Sequence, residues 1–241
     1  MISAMPIVGV TLRALLGRRR TLLMLLLVAL PVLIGLLVRL SGRGIEIDRI
    51  LDAMMVRTVL PLVALVLGTA ALGSELEDGT AVYLMIKPVP RWRIVGAKML
   101  VASGLTVALV VPSTVLAGLL AGGLGSTAVA TTLGFAAGVA AGGIAYACAF
   151  VALSAFTTRA LVVGLGYTLI WEGLLAGLLE GTRFLSIRQA TLGIARGLPG
   201  DVVADAPLDL GLSGAIVLVT IVGAFVLGSI RLSRLEIRGA D

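Results

Sequence analysis

Two ionisable side chains, Arg57 and Glu172, fall within apolar runs long enough to lie in hydrocarbon. An ionisable group there is costly, and it is normally paired or functional. With Arg57 near the start of one run and Glu172 in the matching half of another, their depths differ by about one turn at about 1.5 Å rise per residue, within an arginine's reach. A buried pair that holds a gate is the sharper expectation. The alternative is that Arg57 snorkels outward while Glu172 bonds neighbouring helices. A second concentration of charge is ELEDGTAVYLMIKPVPRWRIVGAK, Glu75 to Lys98, which holds seven of the chain's 32 charged residues in 24 positions. Its acids Glu75, Glu77 and Asp78 suit a cationic surface, whereas Arg91, Trp92, Arg93 and Lys98 have the character of headgroup-layer anchors.

Other chemistries lack their residues. The chain has no histidine and one cysteine, Cys148, so transition-metal binding and histidine-based acid–base catalysis are not expected, and no metal site is assigned. A phosphate-binding loop needs G-x-x-x-x-G-K-[ST], but the only lysines, Lys87 and Lys98, follow Ile86 and Ala97. The chain is therefore not expected to be an enzyme or to carry a cofactor of its own. Nucleic acid is likewise not an expected partner, because no segment is long enough to build a basic soluble face.

The elements that position these residues follow from composition. The 241 residues are 59% hydrophobic and 13% charged, which a water-soluble domain with a polar surface cannot accommodate. A bilayer core of about 30 Å needs about 20 apolar residues per helical span, and alternating barrel-strand patterns are absent. The expected fold is an all-α integral membrane protein, one transmembrane domain over residues 1–241. Six transmembrane helices are read at Thr21–Val38, Met54–Gly73, Met99–Leu120, Ala128–Phe156, Ala160–Leu179 and Leu212–Ile230. The first follows Arg18, Arg19 and Arg20 as a signal peptide would, yet its length and the lack of a small-x-small cleavage site favour a retained helix.

Lys and Arg accumulate in short cytoplasmic segments. Placing the N-terminus inside puts 12 of the 19 cations on the cytoplasmic side, with both termini cytoplasmic, a cytoplasmic loop at 74–98 and an external loop at 180–211. Ser74-Glu75-Leu76-Glu77 has the form of a capping box, which predicts a new short helix as the second span leaves the membrane. Lys87-Pro88-Val89-Pro90 then breaks helix. Within the external loop, Phe184–Leu198 suits a helix at the outer interface. Gly134, Gly138 and Gly142 form a tandem G-x-x-x-G, a small face for close helix packing.

Two ordered groups of residues resemble ABC-2 type transporter permeases, the membrane subunits of ATP-driven exporters. Glu75, Gly79-Thr80, Tyr83-Leu84, Pro88-Val89, Arg91 and Lys98 are similar to that family's first cytoplasmic loop, and Tyr167 to Glu172 followed by Arg183 to Ile187 are similar to its fifth span and external segment. The resemblance implies a coupling helix in the Ser74–Ile86 region, with Glu75, Glu77, Asp78, Gly79, Thr80 and Tyr83 against a soluble nucleotide-binding ATPase subunit. It also implies an N-terminal elbow helix within residues 1–20, for which Met5–Leu16 is the candidate, and an external segment that caps the translocation path. ATP and Mg would bind the partner ATPase, and a second permease copy or homologue would complete a dimer. The expected protein is a multi-pass permease of a cell membrane, and the Arg-rich composition hints at a GC-rich bacterial genome. An ion-coupled secondary transporter or a non-transporting membrane scaffold are the alternatives.

Overall fold

The computed structural model describes residues 18–41, 46–77, 90–175, 184–197 and 208–235, with the backbone alone for 18–20, 74–77, 174–175 and 234–235. The elbow candidate Met5–Leu16 and the coupling residues Asp78, Gly79, Thr80 and Tyr83 lie outside the described residues. The regular elements described are all helical. They are α1 (Arg18–Ser41), α2 (Ile47–Ile50), a π-helical segment π1 (Leu51–Val59), α3 (Leu60–Glu77), α4 (Arg91–Gly122), α5 (Ser126–Phe156), α6 (Ala160–Gly166), a second π-helical segment π2 (Tyr167–Leu175), α7 (Ile187–Gly197) and α8 (Leu210–Leu235).

Among the described residues, five helices are long and apolar enough to cross a membrane: Thr21–Ser41, Ile47–Gly73, Arg91–Gly122, Ser126–Phe156 and Leu210–Ser233. The sixth expected span corresponds to a shorter apolar helix, Ala160–Gly173. Several boundaries move from the sequence reading. The second span begins at Ile47 rather than Met54, with Arg49 paired to Glu46 just before α2 and Arg57 to Asp52 within π1, so that the charges are neutralised along the helix. The third begins at Arg91, directly after Pro90, whose fixed φ favours the position before a helix.

The capping-box reading is corrected: α3 runs unbroken through Ser74 to Glu77, so no new helix starts at Ser74. Ser-x-x-Glu signals a start only where the residue before it leaves helical geometry, and Gly73 stays helical.

α5 is the axis of the bundle, packing on α3, α4, α7 and α8. Of its most apolar window 67% is buried, against 17% in α1 and α8, which therefore form the periphery. α1 packs on α4, where the Ser113 hydroxyl donates to the Val28 carbonyl at 2.6 Å. Such cross-helix bonds and close backbone approaches replace a hydrophobic driving force between helices in lipid. At Gly35 of α1, a Cβ would meet the Ala117 carbonyl oxygen at 2.6 Å, so only glycine permits this spacing. The core between α3, α4, α5 and π1 is filled by Met55, Val59, Leu60, Val63, Phe135, Tyr146 and Val151.

Candidate functional site

The charged and polar side chains buried near one end of the bundle converge where π1, π2, α5 and α7 meet. Each π segment carries an acid paired five residues along its own helix. In π1 the Arg57 guanidinium donates from Nε to Asp52 Oδ2 at 2.9 Å, and in π2 the Tyr167 hydroxyl donates to Glu172 Oε1 at 3.0 Å. An α-helix brings residues three and four apart together, whereas the i→i+5 register of a π-helix stacks residues five apart. Thr58 shows the same register, its hydroxyl donating to the Ala53 carbonyl at 3.0 Å. Such segments are uncommon and gather at functional sites.

Glu172 is 3% exposed and is the centre of the cluster. Besides Tyr167, its carboxyl accepts from the Ile187 amide at 2.9 Å and from the Ser186 hydroxyl. Ser186 in turn accepts from the Gln189 amide at 3.1 Å, and so caps the N-terminus of α7. A carboxyl placed there also meets the positive end of the helix dipole. Glu172 thereby fastens the start of α7 to π2.

Arg188, one residue further on and equally buried, reaches Asp52 with its Nη2 at 3.4 Å. Asp52 is thus shared between Arg188 of α7 and Arg57 of π1. The expected Arg57–Glu172 ion pair does not form. Arg57 keeps 56% of its side chain exposed and pairs with Asp52, and Glu172 takes neutral donors instead. The physical reason is local: the π register supplies Arg57 with an acid on its own helix, so it need not cross to π2. The two side chains still line one cavity of about 40 Å³, together with Val56, Pro61, Tyr146, Thr168, Gly173 and Arg188.

Tyr146 of α5 is fully enclosed and its hydroxyl has no hydrogen-bond partner among the described residues. Its ring stacks on Phe150 at 5.9 Å, and Phe150 meets Tyr167 edge-on at 6.5 Å, so an aromatic ladder backs the polar cluster.

α7 lies against α5 at the glycine tandem. A Cβ on Gly134 would come within 2.5 Å of the Ala195 carbonyl oxygen, and Cβ atoms on Gly138 and Gly142 would overlap Thr191. α7 is consequently a packed helix, with Ile187 to Gly193 and Ala195 all buried, rather than one resting on an interface.

A model of the "ABC-2 family transporter protein" matches residues 16–172. The chain belongs to the ABC-2 family. Together with the long apolar helices, this makes it a multi-pass membrane protein of a transporter family. The family match ends at Glu172, so α7 and α8 lie beyond it. A search of curated proteins finds no match.

The remaining sequence candidates sit elsewhere. Glu75 and Glu77 are in the last turn of α3. At the start of α4, Trp92 is 53% exposed and the Arg93 guanidinium lies 5.1 Å from its ring centroid, while Arg91 is half-buried. Lys98 was grouped with these anchors and is corrected: it is completely buried, seven residues into α4, and its ammonium donates to the Ala71 carbonyl of α3. From Trp92 to Lys98 the helix turns from its exposed side into the core, a change that a linear reading of basic residues does not register.

Asp52, Tyr146, Tyr167, Ser186 and Arg188 were not expected in the site. The i, i+5 spacing of Asp52 with Arg57 and of Tyr167 with Glu172 is the available signal for two of these residues, and Ser186-x-x-Gln189 for a third. Among the described residues, no group of three or more His, Cys, Asp or Glu residues forms a metal site.

Proposed function

We propose that this chain is the membrane permease subunit of an ATP-driven exporter, coupled to a separate nucleotide-binding ATPase and assembled with a second permease copy or a close homologue. The observation that carries the reading is the ABC-2 match over residues 16–172, on a bundle of long apolar helices. ATP and Mg bind the partner, since this chain has no phosphate-binding loop. The location is a bacterial cell membrane. Both termini are cytoplasmic, as the excess of cations on that side supports, and Ala160–Gly173 completes six spans. An elbow helix precedes α1. Glu75, Glu77, Asp78, Gly79, Thr80 and Tyr83 meet the ATPase, and the Glu172 cluster lies at the external end, where α7 closes the path.

The reading is tested by co-expression with any P-loop protein encoded beside this chain, followed by purification and reconstitution. The wild-type permease is expected to retain the ATPase. Glu75→Lys with Glu77→Lys should lose it or uncouple its hydrolysis, while Arg43→Glu should leave association intact. Failure of any P-loop protein to co-purify, with transport driven by an ion gradient alone, would favour the secondary transporter.

A further inference from the structure

We propose that Lys98 is a positioning residue whose buried ammonium, held on the Ala71 carbonyl, yokes the end of α3 to the start of α4 so that the two helices move as one. The inference rests on the permease reading above and assigns to Lys98 the transfer of the motor's push into the bundle.

The position of the contact is the first reason. Ala71 lies six residues before the last residue of α3, and Lys98 seven residues after the first of α4. At about 1.5 Å per residue, the bond therefore crosses the two helices about 10 Å from the end of each. The chain between those ends is the segment that the permease reading presents to the ATPase. A force on that segment reaches both helices, and whether it slides one past the other or moves the pair depends on what joins them.

The chemistry of the contact is the second reason. Leu72, Ile94, Val95 and Met99, neighbours of the two residues along their own helices, are buried and apolar, and apolar contact is non-directional, so it resists sliding weakly. A hydrogen bond from a charged donor is directional and short. A small slip of α3 along α4 would break this charge-assisted bond at a fully buried site, which is costlier than shifting one leucine against another. The carbonyl can accept this bond beside its own helical one because it has two lone pairs. A methionine would fill the same space without the cost of burying a charge. The charge at a site that packing alone would fill points to geometry rather than to cohesion.

The test uses the reconstituted permease–ATPase complex with Cys148→Ser and spin labels on cysteines at Leu124 and Leu185, two exposed positions on the α4–α5 turn and just before α7. In the wild-type background, trapping the ATPase with ATP and vanadate should change the inter-label distance. Lys98→Met should fold, retain the ATPase and hydrolyse ATP, yet lose most of that distance change. The same change in Lys98→Met as in wild type would overturn the inference. So would failure of Lys98→Met to fold, since the lysine would then be a requirement of the fold. If the wild-type permease retains no ATPase, the permease reading itself fails and this inference falls with it.

Discussion

Glu172 and Lys98 are both enclosed, yet they are satisfied in opposite ways. The carboxyl of Glu172 gathers donors from π2 and from the start of α7, and beside it Asp52 holds Arg188 and the half-exposed Arg57. Lys98 is fully enclosed, with the Ala71 carbonyl of α3 as one of its partners. The first arrangement ties a short helix to the bundle through several bonds, at whose edge the Asp52–Arg57 pair is more than half solvated on the arginine side. The second ties two long helices through a charge sealed from solvent. A junction with many modest bonds and a wet edge can be remade, whereas a sealed charge holds one geometry. That contrast is what the assignment of a gate to one end and of a rigid joint to the other rests on.

The contrast can be broken in graded steps. The largest effect is expected from Glu172→Ala, which strands three neutral donors in a buried site; thermal unfolding in detergent should show the loss, at about 1–3 kcal/mol for each donor left unsatisfied. Gly138→Val should follow, at about 1–3 kcal/mol from overpacking against Thr191 and Ala195, and should loosen α7 as read by proteolysis. Tyr167→Phe removes one of the donors to Glu172 and should cost about 1 kcal/mol on the same unfolding scale. Arg57→Gln should be smallest, under about 1 kcal/mol, because the pair with Asp52 is more than half solvated on the arginine side. If Arg57→Gln proved as damaging as Glu172→Ala, the original idea of a direct Arg57–Glu172 gate pair would regain its ground.

Much of the bundle was legible because hydrophobic length is a direct physical requirement of a bilayer. Five long helices fall where apolar runs do, and the glycine tandem in α5 announced a close approach without naming α7 as the helix that uses it. The site was half legible. Glu172 and Arg57 were visible as charges in apolar runs, but their partners were hidden by an assumption of α-helical spacing, under which Asp52 and Arg57 or Tyr167 and Glu172 do not face each other. Ser74 to Glu77 misled for a related reason: a capping motif describes an end, and the sequence does not say whether the preceding turn has stopped. Lys98 misled because its neighbours Arg91, Trp92 and Arg93 set an expectation of surface, whereas position 98, more than a full turn beyond Arg93, is enclosed.

The most direct measurement of the account is the reactivity of a cysteine at Thr168, a buried residue lining the cavity beside Glu172. In the Cys148→Ser permease, reconstituted with its ATPase, a membrane-impermeant thiol reagent applied from the outside should leave this cysteine untouched at rest. Trapping the ATPase with ATP and vanadate should raise its reaction rate severalfold, as α7 leaves π2 and water enters the cavity. An equal rate with and without trapping, in a complex shown to hold its nucleotide, would contradict the claim that the Glu172 junction is the part of this permease that opens.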